Sequence, residues 1–385
     1  MEIDTAYEGR EHSFIKHRLL ESYLEKLLLI KGVTGTRELT YVDCFAGPWG
    51  DESEDLRATS IAISLNILKK VREALAAQHK YVTMRAIYVE KTKRSFERLK
   101  AYLDTNCPNS IQAFPIHGDY AEKVNELLEL CGTSFTFFFI DPKKWTPVAI
   151  PKLSPLLKRD NSEFVVTFMY DFFNRALGQE TMREQVCSLL GPLTDAELNE
   201  LCSPDAKKRE QAVVRKYREA LKTEMSRDPR RRSRSYHTTV LDKDKDRTKY
   251  HLVYLTGHSK GIVEFARLSE HVEIIQRKVR FDAKQAKSGQ SDMFGIDETV
   301  IREMEAADIE DVKRYWMSRL RTTESVYTED DLADMLEDTD WLVSDFEEAF
   351  MALQSESKVE NVDARKKRSK HPVHFDKAER LRRRV

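Results

Sequence analysis

The sequence predicts a layered α/β fold, a mostly parallel sheet covered by helices on both faces, followed by a smaller helical domain. Three observations predict it. Short apolar runs alternate with amphipathic helical runs between residues 39 and 169, the pattern of strands joined by crossover helices. Two later β-rich segments bracket a polar turn and read as a hairpin. The last sixty residues then change character, from strongly acidic to strongly basic.

The elements follow in order. Residues 11–31 carry Phe14, Ile15, Leu19, Leu20, Tyr23, Leu24, Leu27 and Leu28 at helical spacing, and Gly32 and Gly35 punctuate the end. Strand one occupies 39–45, and a helix runs from Ser60 to Ala77. Met84–Glu90 is a short strand ending in a carboxylate, and 92–104 a helix. Ile111–Ile116 is a strand running into Gly118-Asp119, followed by a helix over 120–131. Phe135–Ile140 is an apolar strand closed by Asp141-Pro142; a helix near 147–158 leads to the strand Glu163–Met169. A charged helical insertion covers 176–230. Ser235–Leu241 and Lys249–Thr256 flank the turn Asp242–Arg247. Two late antiparallel strands added to five parallel ones are the pattern of class I S-adenosylmethionine (SAM) methyltransferases, so a Rossmann-like methyltransferase domain is expected over 1–290. A connector over 291–323 and a C-terminal domain over 324–385 complete the expected division. In that last part, helices at Tyr327–Glu337 and Ser344–Leu353 precede a strand at Val373–Phe375. Two helices and a hairpin suggest a winged helix with Arg365–Lys370 as its wing; a helical hairpin packed on the catalytic domain is the alternative.

Composition narrows the function classes. At 41% hydrophobic and 34% charged, the chain has enough apolar residues for a large core and no run long enough to span a membrane. The acidic N-terminus does not read as a signal peptide. The cysteines at 44, 107, 131, 187 and 202 are dispersed, with no Cys-x-x-Cys pair, so a reducing cytoplasm and no structural metal are expected. Net charge is -1, so any electrostatic preference must be local. Glu324–Phe350 contains acidic residues and no basic one, whereas Lys358–Val385 is dominated by Lys and Arg. Such a basic block suggests a polyanion contact, with Arg365, Lys366, Lys367 and Arg368 as candidates; a solvated tail is the bland alternative.

Strand carboxyl ends in a doubly wound sheet converge on one edge, where ligands bind. That edge receives Asp43 with the small-residue turn Phe45-Ala46-Gly47, then Glu90, Asp119 with Tyr120, and Asp141. Small residues let a cofactor approach the backbone. A carboxylate ending the second strand can accept both hydroxyls of a ribose, which is the role expected of Glu90. Asp119 would accept from an adenine amine, with Tyr120 stacking. Any one of these acids could instead be a helix N-cap; recurrence at successive strand ends selects the cofactor reading. NAD is the rival, but no Gly-x-Gly-x-x-Gly follows strand one, so a pyrophosphate would lack its glycine-lined helix start. SAM carries no phosphate and is the expected cofactor.

The acceptor side is read from Asp141-Pro142-Lys143-Lys144-Trp145. Enzymes that methylate base amines place Asp/Asn-Pro-Pro-aromatic here: oxygen acceptors hold the exocyclic N–H groups, and the ring stacks on an extruded base. Asp141 and Pro142 keep the first half. Lys143 and Lys144 replace the second proline as phosphate contacts, and Trp145 or Tyr170 would stack. Tyr170, Asp171, Asn174 and Arg175 crowd at the carboxyl end of strand five, as pocket groups or as a capping network. His12, Lys16 and His17 share one face of the first helix, which would lid the cofactor or be merely solvated. No cysteine lies in the loop after strand four, and Cys44 lies within strand one, which argues against cysteine-based pyrimidine methylation.

Several of these motifs occur together in one family. His12-Ser13-Phe14-Ile15-Lys16-His17, Tyr41–Pro48, Ile140-Asp141-Pro142, Phe168–Arg175, Tyr254–Gly261 and Met293-Phe294-Gly295 resemble the bacterial three-Cys-motif partner proteins. The resemblance implies a class I methyltransferase fold and a partner protein, encoded alongside, that carries the cysteine motif. Trp49 interrupts the family's Gly-Pro-Gly turn, and Lys143-Lys144 departs from its usual Asp-Pro context. The expected activity is SAM-dependent methylation of nucleic acid, DNA or RNA, at a base amine. A non-catalytic adaptor for nucleic acid or a partner protein, in defence or mobile-element biology, is the alternative.

Overall fold

The computed structural model describes residues 7, 11–47, 58–177, 179–225, 232–243, 245–288 and 307–384. The Pro48-Trp49-Gly50 turn and Met293-Phe294-Gly295 lie outside the described residues, as does most of the expected connector before residue 307. The chain divides into two compact units, Met1–Gly257 and His258–Val385. The division therefore falls after the hairpin and before the following helix, not near residue 290.

The first unit is built on strands β1 (Glu38–Asp43), β2 (Thr83–Glu90), β3 (Ile111–His117), β4 (Phe135–Ile140), β5 (Ser162–Phe168), β6 (Arg234–Leu241) and β7 (Thr248–Thr256). They form one sheet in the order β3-β2-β1-β4-β5-β7-β6. The first five strands are parallel, and β7 runs antiparallel to both β5 and β6. This is the expected mostly parallel α/β sheet with its late hairpin. β4 shows why the pattern was readable: every residue of Phe135–Ile140 is buried, because a central parallel strand is covered on both faces and needs a continuous apolar run. At the edge, β3 exposes Gln112 and His117 while burying Ile111 and Ile116.

Helices α1 (Glu11–Val33), α2 (Ser60–Ala77), α3 (Lys93–Asn106), α4 (Val124–Cys131) and α5 (Ile150–Leu157) precede or connect the parallel strands. α1 and α2 pack closely at Gly32, where a Cβ would lie 2.3 Å from Leu75 Cδ1. The insertion comprises α6 (Tyr170–Leu177), α7 (Arg183–Leu190), α8 (Asp195–Leu201) and α9 (Ala206–Met225). Residues 170–175, expected as polar groups crowded at the carboxyl end of strand five, are helical. The buried residues Tyr170, Phe173 and Ala176 recur every third position, a helical spacing hidden within an aromatic-rich run that looks like a strand.

The second unit holds α10 (Ser259–Ser288), α11 (Ile309–Arg319), β8 (Ser325–Tyr327), α12 (Glu329–Asp338), α13 (Val343–Ser355), β9 (Val359–Asn361) and β10 (Glu379–Arg383). Its antiparallel sheet has the order β8-β10-β9. Trp316 anchors this core: its ring is buried, and Nε1 donates to the Phe346 carbonyl at 3.0 Å. The two expected helices are present, but Tyr327 ends a strand instead of starting α12. Val373–Phe375 is not a strand; a 3-10 turn over Phe375–Lys377 precedes β10.

Candidate functional site

The strand order reverses between β1 and β4, so the connections that follow them leave to opposite faces of the sheet and open a crevice at their carboxyl ends. A cavity of about 180 Å3 lies there. Phe45 and Gly47 after β1 line it, with Ala58, Thr59 and Ser60 at the start of α2. Asp141, Pro142 and Lys143 follow β4, Met169 follows β5, and Lys249 and Tyr250 belong to β7. His12, Ser13, Lys16 and His17 of α1 close the ring. The helical face read from the sequence as a lid therefore does meet the cavity.

Asp43 sits beneath it, fully buried. Its carboxylate accepts from the Phe45 N–H at 3.0 Å and from Ser60 Oγ at 2.5 Å. Burial pushes this carboxyl up to about 7, against the pull of those two donors; Asp141 adds to the rise and Lys16 opposes it. Asp43 thus fixes the turn after β1 and the first residue of α2, so it shapes the cavity without lining it. Asp141 does line it and is ion-paired with Lys16 Nζ. Above, Lys249 Nζ lies 3.0 Å from His12 Nδ1, and Tyr250 Oη donates to the His12 carbonyl at 2.6 Å. These contacts tie the start of α1 to the hairpin.

Glu90 and Asp119 end the row on the other side. Glu90 is buried, and Oε1 accepts from both the Thr92 N–H (2.6 Å) and Thr92 Oγ1 (2.5 Å). Gly118, at φ +143, returns the chain to β2 by donating to the Glu90 carbonyl at 3.0 Å. Asp119 accepts from the Ala121 N–H and from Lys91 Nζ, each at 3.0 Å. Partial burial would raise its carboxyl, but Lys91 and the Ala121 N–H outweigh this and lower it. Asp119, Glu90, Asp43 and Asp141 thus occupy four adjacent strand ends, β3-β2-β1-β4, although only Asp141 lines the cavity. Glu90 and Asp119 thus place carboxylate acceptors at the strand ends on one side, and the cavity itself presents both charge signs through Lys16, Lys143, Lys249 and Asp141. Ala46 is buried, with its N–H on the Val89 carbonyl, and serves the turn itself.

Four expected roles need correction. Tyr120 is buried and donates to the Pro147 carbonyl at 2.5 Å, so its ring is not presented to an adenine. Trp145 is buried edge-on against Phe173, centroids 5.3 Å apart, which removes it as a base-stacking ring. Tyr170 is buried against His251 at 5.5 Å, and burial pushes its phenol up to about 12. Arg368 is committed to Glu379 through two hydrogen bonds of 2.9 and 2.6 Å. The polar group after strand five is a structural network: Asp171 pairs with Arg175 and Arg247, and Asn174 accepts from Arg209. Lys143 and Lys144 are exposed, as are Arg365, Lys366 and Lys367. Sequence reasoning missed Ser60, Lys249 and Tyr250. Ser60 was findable, because the residue opening the helix after strand one returns to the same sheet edge.

No protein-family model matches the chain, and no curated protein does. Solved structures match it in part. One is an O-methyltransferase from Bacillus cereus in complex with SAH, 12% identical, with a TM-score of 0.30, covering 66% of this chain and 92% of that one. Another is a loganic acid methyltransferase with SAH, 10% identical, with a TM-score of 0.29, covering 75% of this chain and 91% of that one. Likeness at this level carries no argument about substrate or residues; the strand order carries the fold. Among the described residues no group of His, Cys, Asp and Glu could hold a metal ion, and no helix is long and apolar enough to cross a membrane.

Proposed function

We propose that this chain is a SAM-dependent methyltransferase acting on nucleic acid at a base amine. One observation carries the reading: a cavity at the point of strand-order reversal, lined by Asp141, at the end of a row of carboxylates on adjacent strands. SAM, when bound, supplies a methyl group activated by a sulfonium. Glu90 would hold the ribose and Asp119 the adenine, while Phe45, Gly47 and Ser60 would line the tail. Asp141 would accept an N–H of the acceptor and aim its lone pair, so positioning does most of the work. The acceptor side rests on Asp141 and the lysines, since both rings assigned to stacking are buried. Lys143 and Lys144 beside Asp141, and the exposed cations of the β9–β10 connection, support a nucleic-acid acceptor. We read the second unit as a winged helix from its order helix, strand, two helices, two strands.

The adaptor reading is favoured by one contact, the Lys16–Asp141 ion pair, which occupies the carboxylate that would orient an acceptor. Calorimetry with SAM and SAH, followed by transfer of tritiated methyl to DNA and RNA, separates the two. Cofactor binding with label in a polymer supports the enzyme, and binding with no label in any polymer supports the adaptor. If neither cofactor binds, the methyltransferase reading fails.

A further inference from the structure

We infer that Phe172 is a stacking platform for a nucleobase, holding the base that flanks the one entering the cavity. This rests on the nucleic-acid reading and adds a recognition residue beside the same site. Position carries the argument. Met169, which lines the cavity, opens α6: its carbonyl accepts from the Phe173 N–H at 3.2 Å. Phe172 lies three residues on, so it shares a helix face with Met169, about 4.5 Å farther along the axis. That is the order of one nucleotide step, about 3.4 Å in a stacked strand. Phe172 itself is not among the residues lining the cavity, so its ring meets a neighbour of the base within.

Exposure singles this ring out. Among the described residues of the first unit, Val33, Tyr81 and Phe172 are the exposed large apolar side chains. Val33 ends α1 and Tyr81 precedes β2, both at the amino ends of the parallel strands. Phe172 follows β5 at the carboxyl edge, where ligands bind, and is 46% exposed. Arg175 Cζ stands 4.8 Å from its ring centre, and Asp171 holds that guanidinium at 3.3 Å. Asp171 also pairs with Arg247 in the turn before β7, two residues from Lys249 at the cavity. The ring is thus backed by a fixed guanidinium, on a helix tied to the hairpin that borders the cavity. Both arginines are already paired, so this surface offers a π face and not free charge. Stacking uses that face and tolerates any base, since every base has one.

The test is equilibrium binding of the full chain to a single-stranded oligonucleotide, as DNA and as RNA, and to an abasic strand of equal length, over a range of salt. Phe172→Ala is expected to weaken binding of the base-bearing strand about fivefold or more, and of the abasic strand less than about twofold. The slope of log affinity against log salt should not change, because no phosphate contact is lost. Phe172→Leu, which keeps apolar bulk and lacks a ring, should behave as Phe172→Ala, and Phe172→Tyr as the natural chain. Equal loss on both strands, a lowered salt slope, or full affinity in Phe172→Ala overturns the inference. If the unaltered chain binds neither strand, the nucleic-acid reading falls and the inference with it.

Discussion

At the scale of single residues, Asp43 makes the sharpest claim. Burial raises its folded-state pKa to about 7, above the ordinary carboxylate value. Between about pH 4 and pH 7 the folded protein therefore holds a proton that the unfolded chain has released, so stability falls as pH rises through that window. The full difference is on the order of 4 kcal/mol as an upper bound. Asp43→Asn keeps an acceptor for Ser60 or for the Phe45 N–H and removes the titration. Urea denaturation from pH 5 to 8 should show this variant with a shallower pH dependence, and more stable than the natural chain at pH 8 by roughly 1–4 kcal/mol. Equal slopes for the two proteins would mean that Asp43 is ionised in the fold. Glu90→Ala tests the cofactor assignment. Loss of a charged acceptor should weaken SAM at least tenfold, while the lost Thr92 contacts, hydrogen bonds to a charged group, cost about 1.5–3 kcal/mol of stability; unchanged affinity by calorimetry would remove Glu90 from the site. Both acids were legible in the sequence because each ends an apolar run. Their partners were not: Ser60 meets Asp43 only once the helix has returned to the strand end, and the burial of Trp145 and Tyr170 depends on α6 and α9 folding over them.

At the scale of elements, α1 joins the cavity to the opposite edge of the sheet. Near its start lie Lys16 and His17; farther on, Tyr23 and Lys31 reach Glu163 at the beginning of β5. Tyr23 Oη and Tyr254 Oη both donate to Glu163 Oε2, at 3.0 and 2.6 Å, and Lys31 Nζ stands 3.6 Å from Oε1. Lys31 also lies 4.3 Å from the centre of the Phe135 ring. Glu163 is buried, and such a carboxylate is tolerable only with this many partners. Glu163→Ala removes the buried carboxylate shared by two phenols, which still hydrogen-bond each other, and takes the counter-charge from Lys31; it should cost about 3–5 kcal/mol. Amide exchange should then speed up in the second half of α1. Exchange unchanged along α1 would show that apolar packing alone, at Gly32 and the leucines, holds the helix. The helix itself was legible from its leucine spacing. This anchor was not, because Glu163 and Tyr254 belong to strands paired only in the folded sheet.

At the scale of the whole molecule, charge that looks segregated along the chain is largely paired within the second unit. Acids of the block before residue 350 have structural uses: Asp331 caps α12 by accepting from the Thr328 N–H and Oγ1 at 2.8 and 2.9 Å, and acids suit a helix N-terminus. In the basic tail, Arg380 pairs with Asp363 and Glu324, and Arg382 and Arg384 with Glu360. Burial would raise the Glu379 carboxyl, but Arg368, the His374 N–H and the Asn361 amide hold it at about 2. These cations pin β10 to its neighbours. The basic composition of the tail was legible, but its internal neutralisation was not, because the pairs form across strands. Arg365, Lys366, Lys367 and Lys370 remain exposed in the β9–β10 connection, where a wing would lie. On the nucleic-acid reading proposed above, the acids Asp345, Glu347 and Glu348 of α13 make that helix a poor partner for phosphate, so the proposed wing should carry the contact. Replacing its four cations by Gln should lower duplex affinity and reduce the slope of log affinity against log salt by up to about 3.6, at roughly 0.9 per lost phosphate contact. Arg382→Gln, by contrast, should leave that slope unchanged, since its guanidinium is engaged by Glu360. A salt slope that drops with Arg382→Gln and not with the wing variant would place the polyanion on the sheet face instead.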